Sequence, residues 1–348
     1  MDEGWCDVFA ELLEKLARRE DLTIVEAEGA MRAVMDGRAS DVQMAGLLVG
    51  LAMKGERPHE IAGFAGAMRA AAVKLPRAWP RAVDVCGTGG DRAHTFNISS
   101  VVAIVVAGCG VPVAKHGNRA VSSDSGSADV FEALGIATNA SPSAVDRCLA
   151  ETRLAFLFAP TFHPSMRRAA TVRRQLGVRT AFNLLGPLTN PAGPRRQVVG
   201  VPRADLTDVL ARVLLLLGSE HAWVVHGADG LDELSTTGYS KVSECRDGIV
   251  RTFYLHPRDV GLRVATREAL RGGDAVANAR IARDVLGGAK GAARDVVLLN
   301  AGAALLVAGA CSSVKDGIDR AASAIDSGEA TNALVRTAEL CRHAGSAA

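Results

Sequence analysis

The chain has 348 residues, 48% hydrophobic and 22% charged, with 40 Lys and Arg against 38 Asp and Glu. That composition supplies one large core or two ordinary ones and excludes a disordered chain. A formal net charge of +2 gives no general attraction to nucleic acid or to a membrane surface, so neither partner is expected.

Seven cysteines (Cys6, Cys86, Cys109, Cys148, Cys245, Cys311 and Cys341) are scattered without a CxxC pair. This pattern predicts free thiols in a reducing cytoplasm rather than a disulfide framework or a zinc site. The opening Met1-Asp2-Glu3 lacks the basic region of an export signal. The first 75 or so residues read as helices. Thr23-Ile24-Val25-Glu26 and Ser40-Asp41-Val42-Gln43 are capping boxes, Gly37 and Gly55 are helix stops, and Pro58 suits a first helical turn. Met44 to Met53 is apolar on most faces, which places that helix in a core or at a subunit contact, with the core favoured.

Pro76-Arg77-Ala78-Trp79-Pro80 marks a hinge, after which the pattern changes. Strands are expected at Val83–Cys86, Val111–Ala114, Phe156–Phe158, Gln197–Val201 and Ala222–His226, with helices such as Ala128–Leu134 and Ala204–Leu217 between them. The run from Val101 to Ala114, about 14 residues, is too short to span a bilayer and reads as a buried helix followed by a buried strand. A late strand is expected near Val250–Leu255, and the tail from about Arg267 is Ala-rich and helical. The alternation predicts an α/β domain with a mainly parallel sheet, preceded by a smaller all-helical domain.

Chemistry concentrates in five segments. Asp84-Val85-Cys86-Gly87-Thr88-Gly89-Gly90-Asp91 runs a strand into a glycine turn whose backbone N–H groups can approach a phosphate or diphosphate. It is neither a P-loop nor a dinucleotide fingerprint. Thr95, Asn97, Ser99 and Ser100 follow closely, with small polar groups suited to phosphate oxygens or a hydrated metal. Lys115 through Asp129 brings Lys115, Arg119 and a Ser/Gly run to the carboxyl end of a buried strand, where ligands of open α/β sheets gather. Asp229, Asp232 and Glu233 crowd three carboxylates together after another buried strand, which calls for a compensating cation such as magnesium. Between Phe158 and Pro187, five arginines offer a fork for a substrate carboxylate, although most are expected to be solvated.

Read in order, CGTGGD, TFNIS, KHGNRAVSSxSGSADVxEALG, FAPxxHPxM, VRxxLGxRTxFNLLGPLxNPA and HGxDGLDE resemble the anthranilate phosphoribosyltransferases of tryptophan biosynthesis. The resemblance covers nearly the whole chain, through RGGDAxxNA and VLLNAGAAL. It implies a helical domain of residues 1–77 with an inserted segment near 163–187, an α/β domain of residues 78–348, and a homodimer formed through the helical part. It implies that phosphoribosyl diphosphate is surrounded by Gly87, Gly90, Asp91, Thr95 and Asn97, by Ile98, Ser99 and Ser100, and by Lys115, His116, Gly117, Asn118, Arg119, Ala120, Val121, Ser122 and Ser123, with Ser127 nearby. Magnesium would be held by Ser99, Asp232 and Glu233. Anthranilate would meet Asn118 and Arg173, with Gly87, His116 and Pro187 lining its path. No triad or general base is assigned, and catalysis is expected from electrostatic support by Lys115, backbone N–H groups and magnesium.

The sequence departs from the resemblance at three places. Arg92 stands where glycine is usual, Ser100 replaces threonine with its hydroxyl kept, and Arg153-Leu154-Ala155 replaces a glycine-containing approach to FLFAP. A nucleoside phosphorylase of the same fold, a non-catalytic nucleic-acid-binding homologue, and a paralogue acting on a substituted anthranilate are the alternatives.

Overall fold

The structure, a computed structural model, describes residues 3–120 and 124–345. It opens with four helices, α1 (Glu3–Ala17), α2 (Ile24–Asp36), α3 (Asp41–Lys54) and α4 (Pro58–Ala71). Both capping boxes form. The Thr23 hydroxyl accepts from the Glu26 N–H while Glu26 accepts from the Thr23 N–H, and Ser40 with Gln43 repeats the exchange. Gly37 ends α2 at φ 75, Gly55 ends α3, and Pro58 opens α4. Leu22, Met31, Met44, Leu47, Leu51 and Phe64 are fully buried, each contributing about 2 kcal/mol of apolar transfer. Glu60, also buried, accepts from the N–H groups of Leu22 and Arg57 and pairs with Lys54. The apolar α3 is buried along one face only, since Val42 and Met53 stay 81% and 74% exposed.

The remainder alternates as expected. It contains β1 (Val83–Gly87), α5 (Ile98–Gly108), β2 (Val113–Gly117), α6 (Ser127–Ala133), α7 (Pro142–Thr152) and β3 (Leu154–Phe158). Next come α8 (Ala159–Phe162), α9 (Arg167–Leu176), α10 (Phe182–Leu185), β4 (Arg196–Gly200), α11 (Leu206–Leu216) and β5 (His221–Gly227). Two further strands, β6 (Ser240–Arg246) and β7 (Ile249–Leu255), precede α12 (Ala275–Leu286), α13 (Ala292–Val307), α14 (Val314–Asp326) and α15 (Glu329–Gly345). One seven-stranded sheet has the order β3-β2-β1-β4-β5-β6-β7, parallel from β3 to β5 and antiparallel at β6 and β7.

Two strand expectations change. β2 begins at Val113 rather than Val111 and carries Lys115, His116 and Gly117 as ladder residues opposite Phe156, Leu157 and Phe158. The physical reason is Gly110 turning at φ 89 and Pro112, which has no N–H to give the ladder. β6 has no counterpart among the expected strands. Its sequence, Ser-Lys-Val-Ser-Glu-Cys-Arg, offers little apolar signal, yet it pairs fully with β5 and β7.

Alternate side chains of β4 and β5 serve two cores. Val198, Trp223 and Val225 pack with α5 and α13. Val199 and Val224 pack on the other face with α11 and the amino-terminal helices. Ala169 and Val172 of α9 and Phe182 and Leu184 of α10 join this second core beside Phe9, Met31 and Phe64. The segment after α4 is anchored: Arg77 Nε and Trp79 Nε1 both donate to the Asp146 carboxylate, at 2.8 and 2.7 Å. No described helix is long and apolar enough to cross a membrane.

Candidate active site

The chain leaves β1 toward β2 on one side and reaches β4 on the other, so the carboxyl end of β1 is the topological switch point of the sheet. Gly87 ends β1 there, in register with Gly200 at the end of β4. The turn after β5 lays Asp232 across both. A Cβ on Gly87 would lie 2.3 Å from Asp232 Oδ2, and one on Gly200 would lie 1.3 Å from the Asp232 carbonyl oxygen. A side chain at Gly87 would displace the Asp232 carboxylate, and one at Gly200 would displace the Asp232 backbone. Asp232 is then fixed by the Gly89 N–H, which donates to Oδ2 at 2.9 Å.

Asp91, Asp232 and Glu233 bring carboxylate oxygens within 4.8 Å of one another. Burial, reinforced by the Asp91 charge, pushes Asp232 up to about 7. Burial and the neighbouring Asp232 likewise hold Glu233 well above the usual carboxylate range, although the Ser99 N–H donates to it. Three mutually repelling carboxylates with the Ser99 hydroxyl beside them are hard oxygen donors, and this set fits a magnesium ion. Ser99, Asp232 and Glu233 therefore stand together. Asp91, expected only at the donor, completes the acidic cluster.

Lys115 is 2% exposed and donates from Nζ to Val85 O at 2.6 Å and to Ser99 Oγ at 3.3 Å. Burial lowers its pKa, and the Asp84 charge opposes that shift. Asp84 is fully buried and accepts from Asn190 Nδ2 at 2.8 Å and from the His116 N–H at 3.2 Å. Asn190 also donates to Ala114 O at 2.8 Å, so this pair holds β2 against the 182–190 segment. Sequence reasoning misses both residues as members of the site, although both lie inside the quoted motifs.

His116 faces Gly186 O with Nδ1 at 3.1 Å. A carbonyl only accepts, so Nδ1 carries the proton and Nε2 is a bare, buried acceptor with no partner. His163, with ring centroids 5.2 Å away, also buries an unpartnered Nε2. Burial takes His116 down to about 3 and His163 to about 4. Pro187 is buried next to Gly186, its carbonyl accepting from Gln197 at 2.8 Å. Arg173 sits 5.6 Å over the Phe182 ring and, among the described residues, has no carboxylate partner. Burial lowers its pKa.

The remaining expected residues divide. Asn97, at the amino end of α5, donates to Ser125 O at 3.1 Å and accepts from Asn278 at 2.8 Å. Thr95 bridges to Arg271, and Gly90 and Asp91 complete the glycine turn. Ser100 is buried, and its Oγ has no partner. Ile98 differs from expectation: its side chain lies wholly in the core and its N–H donates to Phe96 O at 2.7 Å. Arg119 also differs, because Asp129 at 2.8 Å and Glu132 at 2.6 Å already match its charge. Asn118 accepts from the Arg119 N–H, its carbonyl takes the Ser127 hydroxyl, and a Cβ on Gly117 would meet Ser127 Oγ at 2.2 Å. Ala120 donates its N–H to Asp129. Val121, Ser122 and Ser123 lie outside the described residues.

The two glycine departures have a shared geometry. Arg92 and Arg153 adopt φ of 55 and 62, the left-handed region that favours glycine. A cavity of about 660 Å³ lies at the amino ends of β4 and β5, away from this site. The arginines lining it, Arg196 and Arg246, are already paired with Glu220 and Asp247.

A glycine turn, a buried lysine and three crowded carboxylates at a switch point could hold an anionic ligand carried with a cation. Residues 79–331 match the a/b domain of a glycosyl transferase family, and residues 10–72 match its helical bundle domain. An anthranilate phosphoribosyltransferase of Symbiobacterium thermophilum is 52% identical over 94% of this chain and 96% of its own. The crystal structure of anthranilate phosphoribosyltransferase from Thermus thermophilus superposes with a TM-score of 0.89 at 46% identity, covering 95% of this chain and 99% of that one. The Saccharomyces cerevisiae enzyme in complex with PRPP and Mg superposes with a TM-score of 0.87 at 27% identity, covering 96% and 98%. The fold and the site thus place the chain in a class, the two-domain glycosyl transferases. Within that class the chain belongs to the anthranilate phosphoribosyltransferase family.

Proposed function

We propose that the chain transfers the 5-phosphoribosyl group of phosphoribosyl diphosphate to the amine of anthranilate and releases diphosphate, a step of tryptophan biosynthesis. The observation that carries this reading is the juxtaposition of two charge sets. The acidic cluster and glycine turn suit an anion carried with a cation, and the half-buried Arg173 has no carboxylate partner among the described residues. His116 links the two, since its backbone N–H reaches the carboxylate of Asp84 on β1 and its ring reaches Gly186, close to Phe182 under Arg173.

In the reaction a bond forms between the amine nitrogen and ribose C1. The C1–oxygen bond breaks with its electron pair leaving on diphosphate, and the amine gives up a proton. Ser99, Asp232 and Glu233, joined by Asp91, would hold the magnesium ion, which when bound supplies charge to the leaving diphosphate. Gly87, Gly90 and Asp91 present the turn to the donor, with Thr95, Asn97, Ser100 and the Lys115–Ser123 stretch, Arg119 excepted, around it. Lys115 contributes a buried cation whose field is little screened. Arg173 and Asn118 orient the anthranilate, and Pro187 and Gly87 line its path. The bare Nε2 of His116 is an acceptor for the amine N–H.

The helical domain is taken as residues 1–77 with 163–187 and the α/β domain as 78–348. The packing of α9 and α10 against the amino-terminal helices supports grouping the inserted segment with them, within a core that continues into α11 and one face of β4 and β5. Closure about Pro76–Pro80 would exclude water, which otherwise hydrolyses the donor. A homodimer through the helical part is supported by Val25, Val42 and Met53, which are 73%, 81% and 74% exposed on α2 and α3. The free thiols among the described residues are consistent with a cytoplasmic enzyme.

The test is diphosphate release by the purified protein with phosphoribosyl diphosphate and magnesium. Release that requires anthranilate supports the reading. Release without any acceptor, or phosphate-dependent cleavage of a nucleoside in its place, overturns it.

A further inference from the structure

We infer that Arg179 is a donor-positioning residue that holds the diphosphate end of the donor from across the glycine turn. The inference rests on the proposed reaction at this site. Arg179 follows α9, which Gly177 ends at φ 64, and it lies on the same inserted segment as Arg173. Its Nη2 donates to Gly89 O at 3.2 Å. A Cβ on Gly90 would lie 1.7 Å from Arg179 Nη1, so the guanidinium rests directly on a glycine. That contact requires glycine twice over, because Gly90 also adopts φ 81.

Three features point to an anion here. Arg179 has no carboxylate within ion-pair distance among the described residues, unlike Arg119, Arg203 or Arg212, which are each matched locally. The Gly90 N–H has no protein acceptor among the described residues. The same turn is joined to the acidic cluster, because Gly89 offers its N–H to Asp232 and its carbonyl to Arg179. A guanidinium and a backbone N–H, both without an acidic partner, therefore flank one glycine beside the cation-binding carboxylates. A diphosphate carried with magnesium satisfies all three groups. A planar fork binds two phosphate oxygens at once, a geometry that an ammonium does not reproduce.

The placement also gives Arg179 a reach between the two halves of the site. The donor turn belongs to the loop after β1, and Arg179 belongs to the segment that carries the acceptor-side Arg173. Diphosphate on the turn would draw that segment toward the donor.

Binding is measured by calorimetry with two probes, magnesium diphosphate and ribose 5-phosphate, on the full chain and on the R179M and R179K variants. The expected result is about a tenfold weaker magnesium diphosphate affinity in R179M, a smaller loss in R179K, and unchanged ribose 5-phosphate affinity in both. Steady-state assays should show KM for the donor raised about tenfold in R179M with kcat within about twofold, and the melting temperature should be unchanged because the side chain is exposed. Equal affinities in wild type and R179M, equal losses for both probes, or a fall in kcat with KM unchanged would each overturn the role. If the wild-type protein itself bound no magnesium diphosphate, the donor reading would fail first, an outcome distinct from a wild type that binds and an R179M that binds as well.

Discussion

Replacing Gly87 by alanine perturbs the acidic cluster without touching a charge. The new Cβ would stand 2.3 Å from Asp232 Oδ2 and 3.0 Å from its Cγ, an overlap of roughly 1 Å. The strand backbone at Gly87 tolerates alanine, so the carboxylate must yield. It then loses the charge-assisted bond from the Gly89 N–H, worth about 1.5–3 kcal/mol. The expected result is a fall in kcat/KM for phosphoribosyl diphosphate of about 10- to 100-fold. Initial rates of product formation at varied donor and fixed magnesium measure it, and thermal unfolding should differ little from wild type. Gly200→Ala is the contrasting control. Its Cβ meets the Asp232 carbonyl at 1.3 Å, so backbone must move and about 3 kcal/mol of stability is lost. A Gly87→Ala enzyme within threefold of wild type would refute the claim that this glycine sets the position of Asp232.

Arg173→Ala is expected to raise KM for anthranilate at least about tenfold and to leave donor affinity unchanged, as read by calorimetry with magnesium diphosphate. Arg92→Gly removes a non-glycine residue from φ 55 and should add about 1 kcal/mol to the unfolding free energy with activity retained. Burial depresses His116 to about 3 in the folded state, below the ordinary 6.5. Its contribution is therefore fully present above pH 6.5 and is lost as pH falls from there toward 3. Urea unfolding at pH 7.5 and pH 5 should show a His116→Gln variant with less acid sensitivity than wild type, by at most about 2 kcal/mol. Comparison within each pH cancels the opposite trend from Asp232, whose raised pKa favours the folded state as pH falls below about 7.

Much of the fold is legible in the sequence because local rules govern it. The capping boxes at Thr23 and Ser40 are encoded within four residues, and each forms. The parallel strands announce themselves as short apolar runs, and the glycine turn after β1 as a break between them. What is not legible depends on distant contacts. Asp91 joins Asp232 and Glu233 only because the sheet order sets the end of β1 beside the turn after β5. Asp84 and Asn190 look like ordinary motif members until the fold buries them against one another. β6 carries serine, lysine, glutamate and arginine, and its strand identity comes from pairing with β5 on one side and β7 on the other. Arg119 reads as a free cation because the α6 carboxylates that neutralise it, Asp129 and Glu132, face it only once that helix forms.

The most direct measurement is the loss of anthranilate fluorescence on mixing the purified protein with phosphoribosyl diphosphate and magnesium. The expected result is a magnesium-dependent loss that Asp232→Asn or Arg173→Ala abolishes or severely slows at the concentrations that support wild-type turnover. Fluorescence that stays constant at high wild-type protein concentration, with both substrates and magnesium present, would contradict the proposed reaction.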